Sequence, residues 1–236
     1  MDVIPVIDLM GGRVVHARRG ERDAYQPIES RLVRGSAPLA IVAALLALAP
    51  FRRLYVADLD AIRGRGSHDV EIAAIAATFR DLEIWVDRGE TDVMALRRRA
   101  VAGPGISILG TESFADVFAL KRALGAGEAV LSLDHDARGR LGPVEAHEDV
   151  RLWPRRVIVM TLARVGAGLG PDLERVGDAA ARAGARRQVF AAGGVRGIDD
   201  LRALRAAGAA GALVASALHD GRLDHAALSG FAAEAR

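Results

Sequence analysis

Two aspartates close apolar runs in this chain of 236 residues. Asp8 follows "VIPVI" and Asp134 follows "AVLSL", and each leads into a polar, turn-prone segment. Burial at a strand exit disfavours the ionised carboxylate and can raise its pKa to ~6 or more. One carboxyl held protonated and a second held ionised could then move protons at opposite ends of one substrate near neutral pH. A strand-end aspartate can equally cap a helix or pair with an arginine. Two of them at equivalent positions favour acid and base over that alternative. Thr161, at the end of "VIVMT", could add a hydrogen bond to a substrate hydroxyl or carbonyl, although alone it reads as a capping or packing threonine.

Anion-binding signals stand beside this pair. "AAGGVRGIDDL" places Gly193-Gly194 between an apolar strand and a helix, and "GALVASALHDG" places Ala215-Ser216 at the next strand end. Adjacent glycines let backbone N–H groups approach an anion, and a following helix start adds positive potential, so the two loops predict a phosphate cradle. The alternative is a tight turn needing positive φ. In the first half of the chain, Gly110-Thr111 keeps a small-residue cradle. There "VDRGETD" offers Asp87-Arg88-Gly89, where Arg88 could grip a second phosphate or Asp87 could repel it. The six histidines show no ligand spacing, and in "DHD" neighbouring residues on a strand face opposite ways, so no metal is expected. Lys121, the one lysine, falls within a helix, which argues against Schiff-base chemistry. No cofactor is expected.

The elements that must position these groups alternate regularly. Strands are predicted at 3–7, 53–57, 83–86, 106–109, 129–133, 156–160, 188–191 and 211–214. Helices are predicted at 39–49, 69–79, 92–101, 113–124, 146–152, 172–183, 198–207 and 224–235. Eight βα units whose strands are apolar on both faces call for an α/β fold, a closed parallel (βα)8 TIM barrel, in one domain over 1–236. Its active site forms at the C-terminal ends of the strands. The second half echoes the first, with Asp8 matched by Asp134, which suggests a duplicated half-barrel.

Composition sets the outer limits. Half of the residues are apolar (51%), aromatics are few (4%), and the formal charge is +2. Arginines are scattered, so no nucleic-acid stripe is expected. The longest apolar run, residues 39–49, is too short to span a bilayer. With no cysteine and no basic, apolar leader at the start, a cytoplasmic location is expected. The expected partner is a phosphorylated small molecule, not nucleic acid or membrane. No oligomeric state follows from the sequence.

Taken together, "VIPVIDLMGGRVV", "LYVADLDAIRG", "LGTESF", "LSLDHDARGRL", "VMTLARVGAG", "AAGGVRGIDDLRAL" and "GALVASALHDGRL" resemble the histidine-biosynthesis barrels, the ProFAR isomerase and its cyclase relative, in order over essentially the whole chain. The resemblance implies that Asp8 is a general base, Asp134 a general acid and Thr161 their partner. It implies one phosphate on Gly193, Gly194, Ala215 and Ser216, and part of a second site on Gly110 and Thr111. The implied reaction is a cofactor-independent Amadori rearrangement, an aminoaldose converted to an aminoketose. Two stretches depart from the isomerase pattern: "VDRGE" replaces a glycine-rich "GGGIR"-like loop, and "RVGAGLG" replaces an Asp-Gly-Thr element. The segment from His16 to Leu32 is closer to a related subgroup known from methanogens and methylotrophs. Three functions therefore remain open: an aminosugar-phosphate isomerase, a related barrel enzyme of one-carbon or cofactor metabolism acting on another phosphorylated substrate, or a non-catalytic binding or partner barrel.

Overall fold

A computed structural model describes residues 1–17 and 24–234. Two stretches of the sequence reading, residues 18–23 within the His16 to Leu32 segment and Ala235 at the end of the last helix, lie outside the described residues. Eight strands form the parallel barrel: β1 (Asp2–Met10), β3 (Arg53–Asp58), β4 (Glu83–Asp87), β5 (Ile106–Gly110), β6 (Ala129–His135), β7 (Arg156–Thr161), β8 (Gln188–Ala192) and β9 (Gly211–Val214). Each pairs with the next, and β9 pairs back onto β1 through Asp2↔Gly211 to Pro5↔Val214, so the sheet closes. A short strand β2 (Arg13–Val15) folds antiparallel onto the end of β1, with Asp8 opposite Val15. It is only three residues long, too short to announce itself as a strand in the sequence.

The helices are α1 (Pro38–Leu48), α2 (Leu59–Ile62), α3 (Asp69–Thr78), α4 (Val93–Ala102), α5 (Val117–Leu124), α6 (Val144–Glu148), α7 (Leu173–Ala183), α8 (Ile198–Ala206), α9 (Ser216–His219) and α10 (His225–Ala233). Two differ from the sequence expectation for visible reasons. The 113–124 helix starts instead at Val117, because the Asp116 side chain accepts from Ala119 N–H and caps it there. The 146–152 helix divides in two, because Asp149 accepts from Arg151 N–H and opens a separate 3-10 turn.

Strand pleating separates two cores. Leu54, Val56, Ile84, Val86, Leu131, Leu133, Val157 and Val159 face the helices, while Ile4, Tyr55, Trp85, Ile108, Val130, Ile158, Phe190 and Leu213 fill the barrel. Trp85 and Phe190 meet edge to face at 4.9 Å and plug the interior. Below them Arg53 and Arg156 each lie 5.7 Å over the Trp85 ring, and both bind Glu83, at 2.7 and 3.1 Å. This apolar and ionic stopper fills the N-terminal end of the barrel, which leaves the C-terminal mouth for chemistry.

Candidate active site

A cavity of ≈ 430 Å³ opens at the C-terminal mouth, lined by Asp8, Tyr55, Asp87, Glu112, Asp134 and Met160 among others. Gly193, Gly194, Ala215, Ser216, His16 and His219 belong to the same lining. The two predicted acid/base residues and the predicted phosphate loops after β8 and β9 therefore share one space.

Asp8 reaches the cavity because residues 4, 6 and 8 of β1 alternate with Ile7 and Leu9, which pack outward. Behind it, Gly11 and Gly12 take positive φ (57° and 74°) to reverse the chain into β2. This turn is tied to the loop after β3. Gly12 N–H donates to His68 Nε2 at 2.9 Å, His68 Nδ1 contacts the buried Asp58 at 2.8 Å, and Gly11 N–H donates to Asp60 at 2.9 Å. Because Nε2 accepts, the proton sits on Nδ1 and points at Asp58.

Asp134 is only 4% exposed. Ser132 Oγ donates to it at 2.6 Å and Glu112 N–H at 3.1 Å. Burial pushes its pKa up to about 8, with the Glu112 and Asp87 carboxylates adding to the rise and the Ser132 and Glu112 hydrogen bonds opposing it. At neutral pH the carboxyl thus keeps its proton, as a general acid requires. Tyr55, three residues before the end of β3, donates its phenol to Asp87 at 3.2 Å. Burial, then the nearby Asp87, Asp134 and Asp8, hold that phenol far above its ordinary pKa, so it stays a donor.

Three sequence assignments require correction. Thr161 does not line the cavity: it lies opposite His135 in the β6–β7 register, and that pair faces outward while Asp134 and Met160 face inward. Its hydroxyl is buried without a partner among the described residues. Arg88 also faces outward, where it pairs with Asp69 at 2.9 Å and reaches the Pro104 carbonyl, and it is not among the residues lining the cavity. Gly110 and Thr111 pack against Asp134. A Cβ at Gly110 would lie 2.9 Å from the Asp134 carboxylate, and the Thr111 hydroxyl accepts the Asp134 N–H at 2.9 Å. Sequence reasoning overlooked Tyr55 and Glu112; counting by twos along β3 would have found the first.

The loops after β8 and β9 are tightly interlocked. Gly193 and Gly194 have φ of 103° and 90°, and a Cβ on either would strike a carbonyl oxygen, of Thr161 at 2.6 Å and of Gly170 at 2.2 Å. Ser216 Oγ lies 3.2 Å from His16 Nε2. His219, 3% exposed, sets Nδ1 against Ser30 Oγ at 3.0 Å and leaves Nε2 without a partner among the described residues. Burial first, then neighbouring His16, push the His219 pKa down to about 4, so the ring is neutral. Arg196 and Arg222 share this rim but pair with Asp200 and Asp220, each at 2.8 Å. No group of three His, Cys, Asp or Glu side chains among the described residues is placed to hold a metal, and none of the described helices is long and apolar enough to cross a membrane.

A closed parallel barrel with two aspartates at its C-terminal mouth defines the class: a (βα)8 protein whose cavity lies among its strand-end loops. The family described as histidine biosynthesis protein matches residues 2–224, and the chain belongs to it. Among its relatives is a 1-(5-phosphoribosyl)-5-((5-phosphoribosylamino)methylideneamino) imidazole-4-carboxamide isomerase, or ProFAR isomerase, of Alkalilimnicola ehrlichii. It is 34% identical over 254 residues, covering 99% of this chain and 98% of the relative. The isomerase of the same name from Rhodospirillum rubrum is 32% identical over 239 residues, covering 95% and 96%. An uncharacterised protein of Methanocaldococcus jannaschii is 28% identical over 226 residues, again covering 95% and 96%.

Proposed function

We propose that the protein isomerises a phosphorylated aminoaldose to the corresponding aminoketose, with Asp134 as acid and Asp8 as base. The observation that carries this reading is a carboxyl held protonated near neutrality in the same cavity as a second carboxylate. The loops at Gly193-Gly194 and Ala215-Ser216 would anchor the phosphate. Asp134 would protonate the ring oxygen as the C1–O bond breaks and the nitrogen lone pair forms C=N. Asp8 would take the C2 proton, its C–H electrons forming the enaminol. Return of the Asp8 proton to C1, and of the O2 proton to Asp134, gives an isomer of the starting sugar and restores both side chains. No electron acceptor enters that balance. Names of the family's isomerases support the reaction type; the residue roles rest on burial and position.

A second reading, a related barrel enzyme acting on a different phosphorylated substrate, is favoured by one observation: the loop after β4 brings the side chain of Asp87 to the cavity wall and turns Arg88 away from it, onto Asp69. Product detection with ProFAR and simpler phosphoribosylamines, using wild type, Asp8→Asn and Asp134→Asn, tests both readings. Turnover lost in both variants while inorganic phosphate still binds supports acid/base catalysis. Turnover unaffected by either change would refute it.

A further inference from the structure

One buried polar atom at the mouth has no task in the acid/base chemistry. His219 closes the short helix α9, is 3% exposed, and belongs to the cavity lining with Ala215 and Ser216. Its Nε2 has no hydrogen-bond partner among the described residues. The other residues with such an orphaned side-chain atom, Arg99, His147, Arg156, Thr161 and Arg205, do not line the cavity. The rest of His219 is committed to the segment after β2. Arg31 N–H donates to the His219 carbonyl at 2.8 Å, and Nδ1 lies 3.0 Å from Ser30 Oγ. Ser30 Oγ already accepts from Leu32 N–H at 3.2 Å, so its own hydrogen is free to go to Nδ1. A neutral imidazole that accepts at Nδ1 carries its proton on Nε2. The orphan is therefore a donor, and a buried N–H calls for an acceptor.

We infer that His219 is a direct ligand of the phosphate held at the loops after β8 and β9, donating Nε2–H to one of its oxygens while Ser30 fixes the other ring nitrogen. This rests on the phosphate reading of those two loops. A phosphate oxygen is an anionic acceptor, and hydrogen bonds to it are stronger than those between neutral groups. Ser30 orients the ring before the ligand arrives, so little side-chain freedom is lost on binding. Burial, then His16, hold the His219 pKa down at about 4, so the ring is neutral at pH 7 and the contact needs no proton from solution. Ser30 acts through the ring, as a positioning residue that ties the segment after β2 to the anion. The pair selects a phosphate monoester over an unphosphorylated sugar, whose hydroxyl offers the N–H only a neutral acceptor.

Two amides separate ligand contact from scaffolding, because an asparagine side chain reaches about as far as Nδ1 and a glutamine side chain about as far as Nε2. Inorganic phosphate and ribose 5-phosphate are titrated calorimetrically into the full chain at pH 7. His219→Asn should keep the Ser30 contact and weaken both ligands about tenfold, as the loss of one hydrogen bond to a charged group does. His219→Gln should keep a donor at the ligand and stay within about threefold of wild type, with Ser30→Ala between the two. Saturating phosphate should also draw one histidine Nε2–H of isotope-labelled wild type out of exchange with water, as seen by NMR; its absence there overturns the inference even if a variant misfolds. Phosphate binding that Ser216→Asp abolishes, yet that His219→Asn leaves as tight as wild type or that falls at least as far with His219→Gln, overturns this inference alone. Failure of both probes to bind, or phosphate binding indifferent to Ser216→Asp, overturns the phosphate reading and the inference with it.

Discussion

Asp134→Asn separates the charge of this residue from its shape. The folded carboxyl has a pKa of about 8, against ~3.9 for an unfolded aspartate. Between those values the folded state binds more protons than the unfolded state, so stability falls as pH rises through the window. At ~1.4 kcal/mol per pKa unit, the three units between pH 5 and the folded pKa correspond to a loss of ~4 kcal/mol by pH 9. The amide has nearly the same volume and no titration. Any constant change in its hydrogen bonds to Ser132 and the Glu112 N–H cancels when two pH values are compared. Urea denaturation of both proteins at pH 5 and pH 9 therefore should show wild type losing ~4 kcal/mol relative to the variant, on the order of 8–16 °C in Tm for a chain of this size. Parallel stability curves across that range would mean that Asp134 is ionised in the folded state, and the acid assignment would fail.

Asp8→Asn should lower turnover by ~10²–10⁴-fold while phosphate affinity, measured by calorimetry, changes little. Gly194→Val should weaken phosphate binding and lower stability by at least ~1–3 kcal/mol in denaturant titration, since positive φ is strained for a branched residue and its Cβ would meet the Gly170 carbonyl at 2.2 Å. Arg88→Ala should cost ~1–3 kcal/mol of stability by removing one of the two arginines on Asp69; phosphate affinity that falls with it would show that Arg88 reaches the ligand after all.

What the sequence made legible follows from periodicity. Alternating apolar runs and helices placed all eight barrel strands, and Asp8 and Asp134 were found because each carboxylate ends an apolar run. Which of two neighbours at a strand end faces the interior was not legible. Strands buried on both faces, such as "EIWVD" and "RVIVMT", carry no alternation of polarity from which to read it. Thr161 and Arg88 were each one residue out of phase, and Met160 and Asp87 hold the inward positions in their place. Gly110 and Thr111 resembled a cradle by composition, yet their neighbour in space is Asp134, a contact that only the β5–β6 pairing brings about.

The contact of Gly193 with Thr161 and of Gly194 with Gly170 means that the loop after β8 is moulded on the loop after β7. Loops of such barrels invite treatment as interchangeable parts, to be swapped one at a time when a new specificity is wanted. Here the two form a single module, and the residues of one set which backbone the other can adopt. A graft meant to redesign the anion end of this protein must carry residues 161–171 and 193–197 together, or the transplanted loop will meet a wall shaped for a different chain.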